Sequence, residues 1–136
     1  MQFALNNWYL FLGILIVLGM LVYAPLTQLM HGVRHVNNSE AIRLLNQEKG
    51  VLVDVREAQE YSGGHALNAI SVPLSGLASN LQTLQKYKAR PVIVCCRTSQ
   101  RSARAAVTLR KHGFSNVQVL AGGMLAWQGE NLPTVK

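Results

Sequence analysis

The sequence predicts an α/β domain, a parallel sheet flanked by helices on both faces, preceded by one transmembrane helix. Three observations carry this. The first 33 of the 136 residues contain no Asp, Glu, Lys or Arg, and all 13 basic and 6 acidic side chains follow from Arg34 onward. After that boundary, short β-branched runs alternate with segments of helical spacing, the signature of buried strands joined by crossover helices. Charged residues make up 14% of the chain and hydrophobic ones 49%, against roughly 25% charged in ordinary soluble chains. Such a composition excludes a disordered chain, and the length excludes a multi-domain enzyme.

Trp8 to Leu26, WYLFLGILIVLGMLVYAPL, is an uncharged run. At about 1.5 Å per residue, a helix of this length nearly spans the ~30 Å hydrocarbon core. Trp8, Tyr9 and Tyr23 lie near its ends, where amphipathic rings favour the headgroup level. A cleaved signal peptide fits less well, because no Lys or Arg precedes the run and Pro25 directly follows the small residue Ala24. Arg34 and Arg43, with His31 and His35, follow the run. By the positive-inside rule the remainder faces the cytoplasm, making a single-pass protein of a bacterial inner membrane. The expected organisation is residues 1–33 as tail, transmembrane helix and juxtamembrane start, 34–38 as connector, and 39–136 as the α/β domain.

Within that domain, Ser39 as N-cap, Glu40, Ile42 and Leu45 predict a helix that Gly50 stops. Val51–Val55 reads as a buried strand, Ala69–Val72 as a second, and Leu74–Lys88 as a helix through Leu77, Leu81 and Leu84. Pro91–Cys95 is another buried strand. Gln100–His112 is a helix with Ser102, Ala105, Ala106 and Leu109 on one face and Gly113 as its stop. Val117–Leu120 is the last strand, and Gly122-Gly123 leads into a short helix that places Trp127 in the core or in a pocket wall.

The two cysteines, Cys95 and Cys96, are neighbours. A bond between them closes no useful loop, which excludes a disulfide scaffold and points to a reducing compartment. Cys95 still belongs to the packed strand, whereas Cys96 is the first residue of the loop that joins strand to helix. In open α/β sheets ligands bind beyond the carboxyl ends of strands. A thiol there faces loop N–H groups and the positive end of the next helix, which favour the thiolate. Six Lys and Arg and no acid lie between Arg90 and Lys111. Arg104, Arg110 and Lys111 also suit a solvated helix face. The loop arginines converge with a thiol and a run of donors, which suits an anion and a sulfur nucleophile.

Four patches resemble the rhodanese-like sulfurtransferases. Val51–Glu60 with Tyr61 is similar to that family's Asp-x-Arg-x-x-x-Glu-Tyr signature. Gly64–Ile70 followed by Val72-Pro73 resembles its Gly-His-Ile-x-Gly-Ala stretch. Pro91–Ser102 resembles its active-site strand and loop, and Gly122–Trp127 its Gly-Gly-x-x-x-Trp. The resemblance covers about residues 39–133. It implies a rhodanese-like parallel sheet and a ping-pong transfer without metal or cofactor. Cys96 takes a sulfane sulfur from a small anionic donor such as thiosulfate, holds it as a persulfide and passes it to a thiol or protein acceptor. Arg97, Thr98, Ser99, Gln100 and Arg101 complete the substrate-binding loop, whose N–H groups cradle the outer sulfur, with Arg101 closing it. Asp54 and Arg56 are expected as a buried structural pair, and His65 as a structural hydrogen-bonding side chain.

Three positions depart from the family pattern: Ser99 and Asn68 stand where Gly is common, and Cys95 where an aromatic residue is frequent. Counted from Cys95, the spacing to Arg101 is Cys-x5-Arg, the length used by cysteine phosphatases and arsenate reductases. Counted from Cys96 it is the sulfurtransferase length, and the strand aligns in that register. A non-catalytic binding module or scaffold of a membrane complex on the same fold is the alternative to an enzyme. The basic balance carries no interleaved aromatic pattern for nucleic acid, and an anionic lipid surface is its simpler partner.

Overall fold

The computed structural model describes residues 1–30 and 33–136. His31, placed above in the basic flank, lies outside the described residues. Two compact units result, Met1–Gly32 and Val33–Lys136.

The first unit holds α1 (Gln2–Asn6) and α2 (Trp8–Met30). Trp8–Leu26 is long and apolar enough to cross a membrane, and its side chains are exposed. Pro25 sits inside α2. The helix therefore runs on past Leu26, the last residue of the apolar run.

The second unit begins with β1 (Arg34–Val36), followed by α3 (Asn38–Gln47), β2 (Val51–Asp54), α4 (Ala58–Ser62), β3 (His65–Ala66) and β4 (Ile70–Ser71). Three 3-10 turns and α5 (Leu81–Leu84) lead to β5 (Val92–Cys95), α6 (Gln100–Lys111), β6 (Val117–Leu120), α7 (Gly123–Gly129) and β7 (Thr134–Val135). The main sheet has the order β1-β6-β5-β2-β4, with every pairing parallel. β3 and β7 form a separate antiparallel pair.

Period-2 alternation sorts the strand residues into two cores, one on each face of the sheet. Val92, Val94 and Cys96 join Val53, Val55, Val117 and Val119 beneath α6 and the 72–84 segment. Ile93 and Cys95 join Leu52, Leu120, Ala41, Leu44, Met124 and Trp127 against α3 and α7. The predicted parallel α/β architecture is therefore observed, with Trp127 in the core.

Several local expectations are corrected. Residues 34–38 are no connector: Arg34–Val36 pair with Gln118–Leu120, and Val36 is buried. Three residues are too short to show a period, so this edge strand is invisible until β6 offers its hydrogen bonds. The α3 cap is Asn37, not Ser39, its side chain accepting from the Glu40 N–H at 2.8 Å. Asn38 turns inward and donates to the Ala126 carbonyl at 3.2 Å. Lys49, with φ 56°, makes the left-handed turn after α3, while a Cβ at Gly50 would press on the Leu44 carbonyl at 2.9 Å. The 74–88 segment is broken into 3-10 turns around a single α-helical turn. There the Asn80 side chain donates to the Gly76 carbonyl at 2.9 Å, a local bond that competes with continuous helix.

Candidate active site

The register Asp54↔Cys95 ends β2 and β5 side by side at the carboxyl edge of the sheet. Whatever follows the two strands must meet there: Arg56 and α4 from one, the 96–101 loop from the other.

Cys96 is buried, with its Sγ 3.4 Å from Ser102 Oγ, which itself donates to the Ser99 carbonyl at 3.0 Å. One turn of α6 thus holds both the thiol and the loop. The loop is also clamped from outside. The Met124 N–H donates to the Cys96 carbonyl at 2.8 Å, and the Leu125 N–H to the Arg97 carbonyl at 3.1 Å. These bonds need Gly122 and Gly123, with φ of 74° and 56°, to start α7 in left-handed conformations. A Cβ on Gly123 would overlap the carbonyl oxygens of Thr98 and Cys96. With two carbonyls turned toward α7, the N–H groups of Arg97, Thr98, Ser99, Gln100 and Arg101 donate to no acceptor among the described residues. Consecutive free amides above the N-terminus of a twelve-residue helix form a concavity suited to an anion or a polarised sulfur.

The two cysteines are separated by the sheet itself. Cys95 faces the opposite core, among Ala41, Met124 and Trp127. Burial, followed by the Asp54 carboxylate, pushes its thiol well above the ordinary cysteine range. That placement disfavours a Cys95 nucleophile and the Cys-x5-Arg reading with it.

Arg97 and Thr98 are exposed and Ser99 is half-buried, with Gln100 exposed at the start of α6. Arg101 departs from the expectation of a loop free of acids. Its guanidinium makes a bidentate pair with Glu60, Nη1 to Oε2 at 2.7 Å and Nη2 to Oε1 at 2.9 Å. That pairing holds the Glu60 carboxyl at about 2. Glu60 also accepts from the Glu57 N–H at 2.9 Å, which fixes it as part of the α4 capping box. Arg101 therefore closes the loop by tying α6 to α4, and its charge is largely met before any ligand arrives.

Asp54 and Arg56 form a buried pair, with Arg56 Nη2 2.7 Å from Asp54 Oδ2 and 2.8 Å from the Gly64 carbonyl. The Asp54 carboxylate raises the Arg56 pKa and keeps the guanidinium charged. His65 Nδ1 lies 2.9 Å from the Tyr61 carbonyl, and its ring stacks on Tyr61 at 3.7 Å. Tyr61 in turn donates to the Ala69 carbonyl at 2.6 Å. Among the described residues neither group hydrogen-bonds the loop; both tie the 54–70 segment to itself. Asn68 adopts φ 64°, the left-handed turn that Gly commonly fills.

Sequence reasoning missed three site residues: Glu60 as a partner of Arg101, Ser102 as a partner of Cys96, and Gly123 as the loop clamp. All lie inside patches already singled out, but their partners are at least six positions away.

The rhodanese-like domain family model matches residues 37–130. Over 137 aligned positions the chain is 34% identical to the uncharacterized protein YibN of Escherichia coli (strain K12), covering 100% of this chain and 96% of that protein. It is 36% identical over 92 residues to thiosulfate sulfurtransferase 16, chloroplastic, of Arabidopsis thaliana, covering 60% of this chain and 77% of the plant protein. Among solved structures, a rhodanese-related protein from Thermoplasma volcanium superposes with a TM-score of 0.67 at 28% identity, over 75% of this chain and 97% of that one.

Proposed function

This chain belongs to the rhodanese-like domain family, and from that premise we propose that it is a membrane-tethered sulfurtransferase working through Cys96. The observation that carries this reading is the position of Cys96 at the base of a loop whose five following amides donate to no acceptor among the described residues. In the first half-reaction the Cys96 thiolate attacks the sulfane sulfur of a thiosulfate-type donor. The donor's S–S bond breaks and sulfite leaves with the electron pair. The outer sulfur of the resulting persulfide sits among the loop amides, which stabilise negative charge developing on it. An acceptor thiolate then attacks that sulfur, and Cys96 departs as thiolate. Electrons balance across the two displacements, and each uses only the donor, Cys96 and the acceptor.

Trp8–Leu26 supports the tether, and the basic residues that follow it support a cytoplasmic domain.

Intact-mass measurement after thiosulfate treatment tests the chemistry. The wild type and Cys95→Ser should gain the mass of one sulfur atom, reversibly by cyanide or thiol, and Cys96→Ser should not. An adduct that follows Cys95, or none on a folded wild type, would refute the assignment; the second result favours a binding module.

A further inference from the structure

Because every pairing in the main sheet is parallel, the domain has two chemically distinct ends. The Cys96 loop follows β5 at the carboxyl end. At the opposite end lie Arg34, which opens β1, Lys49, just before β2, and Lys86, Lys88 and Arg90, just before β5. Arg110 and Lys111, in the last turn of α6, return the chain to the same end before β6. Seven of the 13 basic residues therefore share one end. Contacts confirm the grouping: Arg90 Nε donates to the Lys49 carbonyl at 2.8 Å, and Lys88 Nζ would lie 3.1 Å from a Cβ at Gly113. None of the seven enters an ion pair among the described residues, and Glu48, the acid beside Lys49, is engaged by Arg43 at 3.1 Å.

We propose that this strand-N-terminal end is a docking face for anionic phospholipid headgroups. The inference rests on the membrane-tether part of the proposed function. Two observations choose lipid over nucleic acid. Arg34, within this face, opens β1 only four positions along the sequence from Met30, the last residue of the apolar helix. Two rings lie under these cations: Tyr87 already carries Lys86 and Arg90 at 5.1 and 5.4 Å, and Phe114, under Lys88 at 5.9 Å, is buried, so among the described residues this end offers bases no stacking platform. Each basic residue near an anionic leaflet strengthens attraction about fivefold, so several act together. The consequence is functional: docking by this end presents the Cys96 loop, at the other end of the same strands, to soluble donors and acceptors.

The full chain is reconstituted in nanodiscs of phosphatidylcholine alone or enriched in phosphatidylglycerol, and lysine acetylation is read residue by residue with Lys136 as internal reference. Lys49, Lys86, Lys88 and Lys111 should acetylate roughly fivefold more slowly in the anionic discs, a protection lost at 1 M salt, where the Debye length is about 3 Å. Lys86→Glu with Lys111→Glu, whose exposed side chains make no hydrogen bond among the described residues, should abolish the protection of Lys49 and Lys88. Equal acetylation in both discs overturns the proposal. Protection that instead follows added single-stranded RNA in phosphatidylcholine discs assigns the face to nucleic acid and overturns it equally. A chain that fails to co-elute with either disc refutes the tether, and with it this inference. The sulfur adduct on Cys96 is scored separately and does not depend on any of these outcomes.

Discussion

Replacing Glu60 by Gln removes the charge that meets Arg101 while keeping the shape of the side chain. The carboxyl titrates at about 2 in the folded chain against an ordinary value of 4.5. At 1.36 kcal/mol per pKa unit, that depression would correspond to about 3.4 kcal/mol for a fully shielded group. The two side chains are 33% and 35% exposed, so solvent screening reduces this to about 1 kcal/mol. A carboxylate whose folded pKa is depressed stabilises the fold above its unfolded pKa and loses that contribution as pH falls through the folded one. Glu60→Gln should therefore melt about 4–8 °C below the wild type at pH 7. The gap should begin to close near pH 4.5 and vanish by about pH 2. Thermal melts of both proteins across this window measure it, and the difference cancels titrations that the two share. A gap that stays constant down to pH 2, or no gap at pH 7, would refute the claim that Arg101 is held by an ionised Glu60. The same variant leaves Arg101 with an unmatched charge beside the loop. In the proposed reaction it should raise kcat/KM for thiosulfate more than for a neutral persulfide donor, and added salt should erase the difference.

Other outcomes follow from the same geometry. Gly123→Ala, which forces a methyl onto the Thr98 and Cys96 carbonyls at φ 56°, should cost about 1–3 kcal/mol in denaturant unfolding and suppress sulfur loading on Cys96. Asp54→Asn should destabilise by about 3–5 kcal/mol, because it leaves the buried Arg56 without its counter-charge; Asp54→Asn with Arg56→Met should recover part of that loss. A chain beginning at Val33 should fold, whereas one beginning at Ser39 loses β1, the buried Val36 and the Asn37 cap. The shorter chain should be less stable by about 3 kcal/mol, from roughly 2 for the valine and 1 for the cap, as read by urea midpoints.

Short stretches of sequence sufficed for the two-part organisation, the parallel α/β class and the position of the strand-to-helix loop that starts at Cys96. These depend on information carried within a short window. An uncharged run of hydrocarbon length, β-branched runs such as Val92–Cys95, and Gly-stopped amphipathic helices each declare themselves without reference to distant residues. Even the distinction between Cys95 and Cys96 was legible, because alternation along a strand assigns neighbours to opposite faces. The pairings between such windows are different, because they exist only once the chain has folded. Arg34–Val36 becomes a strand because β6 supplies a partner edge, and Asn37 replaces Ser39 as cap because that strand sets where the helix begins. Glu60 and Arg101 are 41 positions apart, and no periodicity relates them. They meet because β2 and β5 are adjacent and in register, so that the segments leaving both strands share one edge of the sheet. The loop looked free of acids along the chain and is not free of them in space. The Gly122-Gly123 pair was visible as a motif, but its purpose required seeing which carbonyls it lets α7 reach.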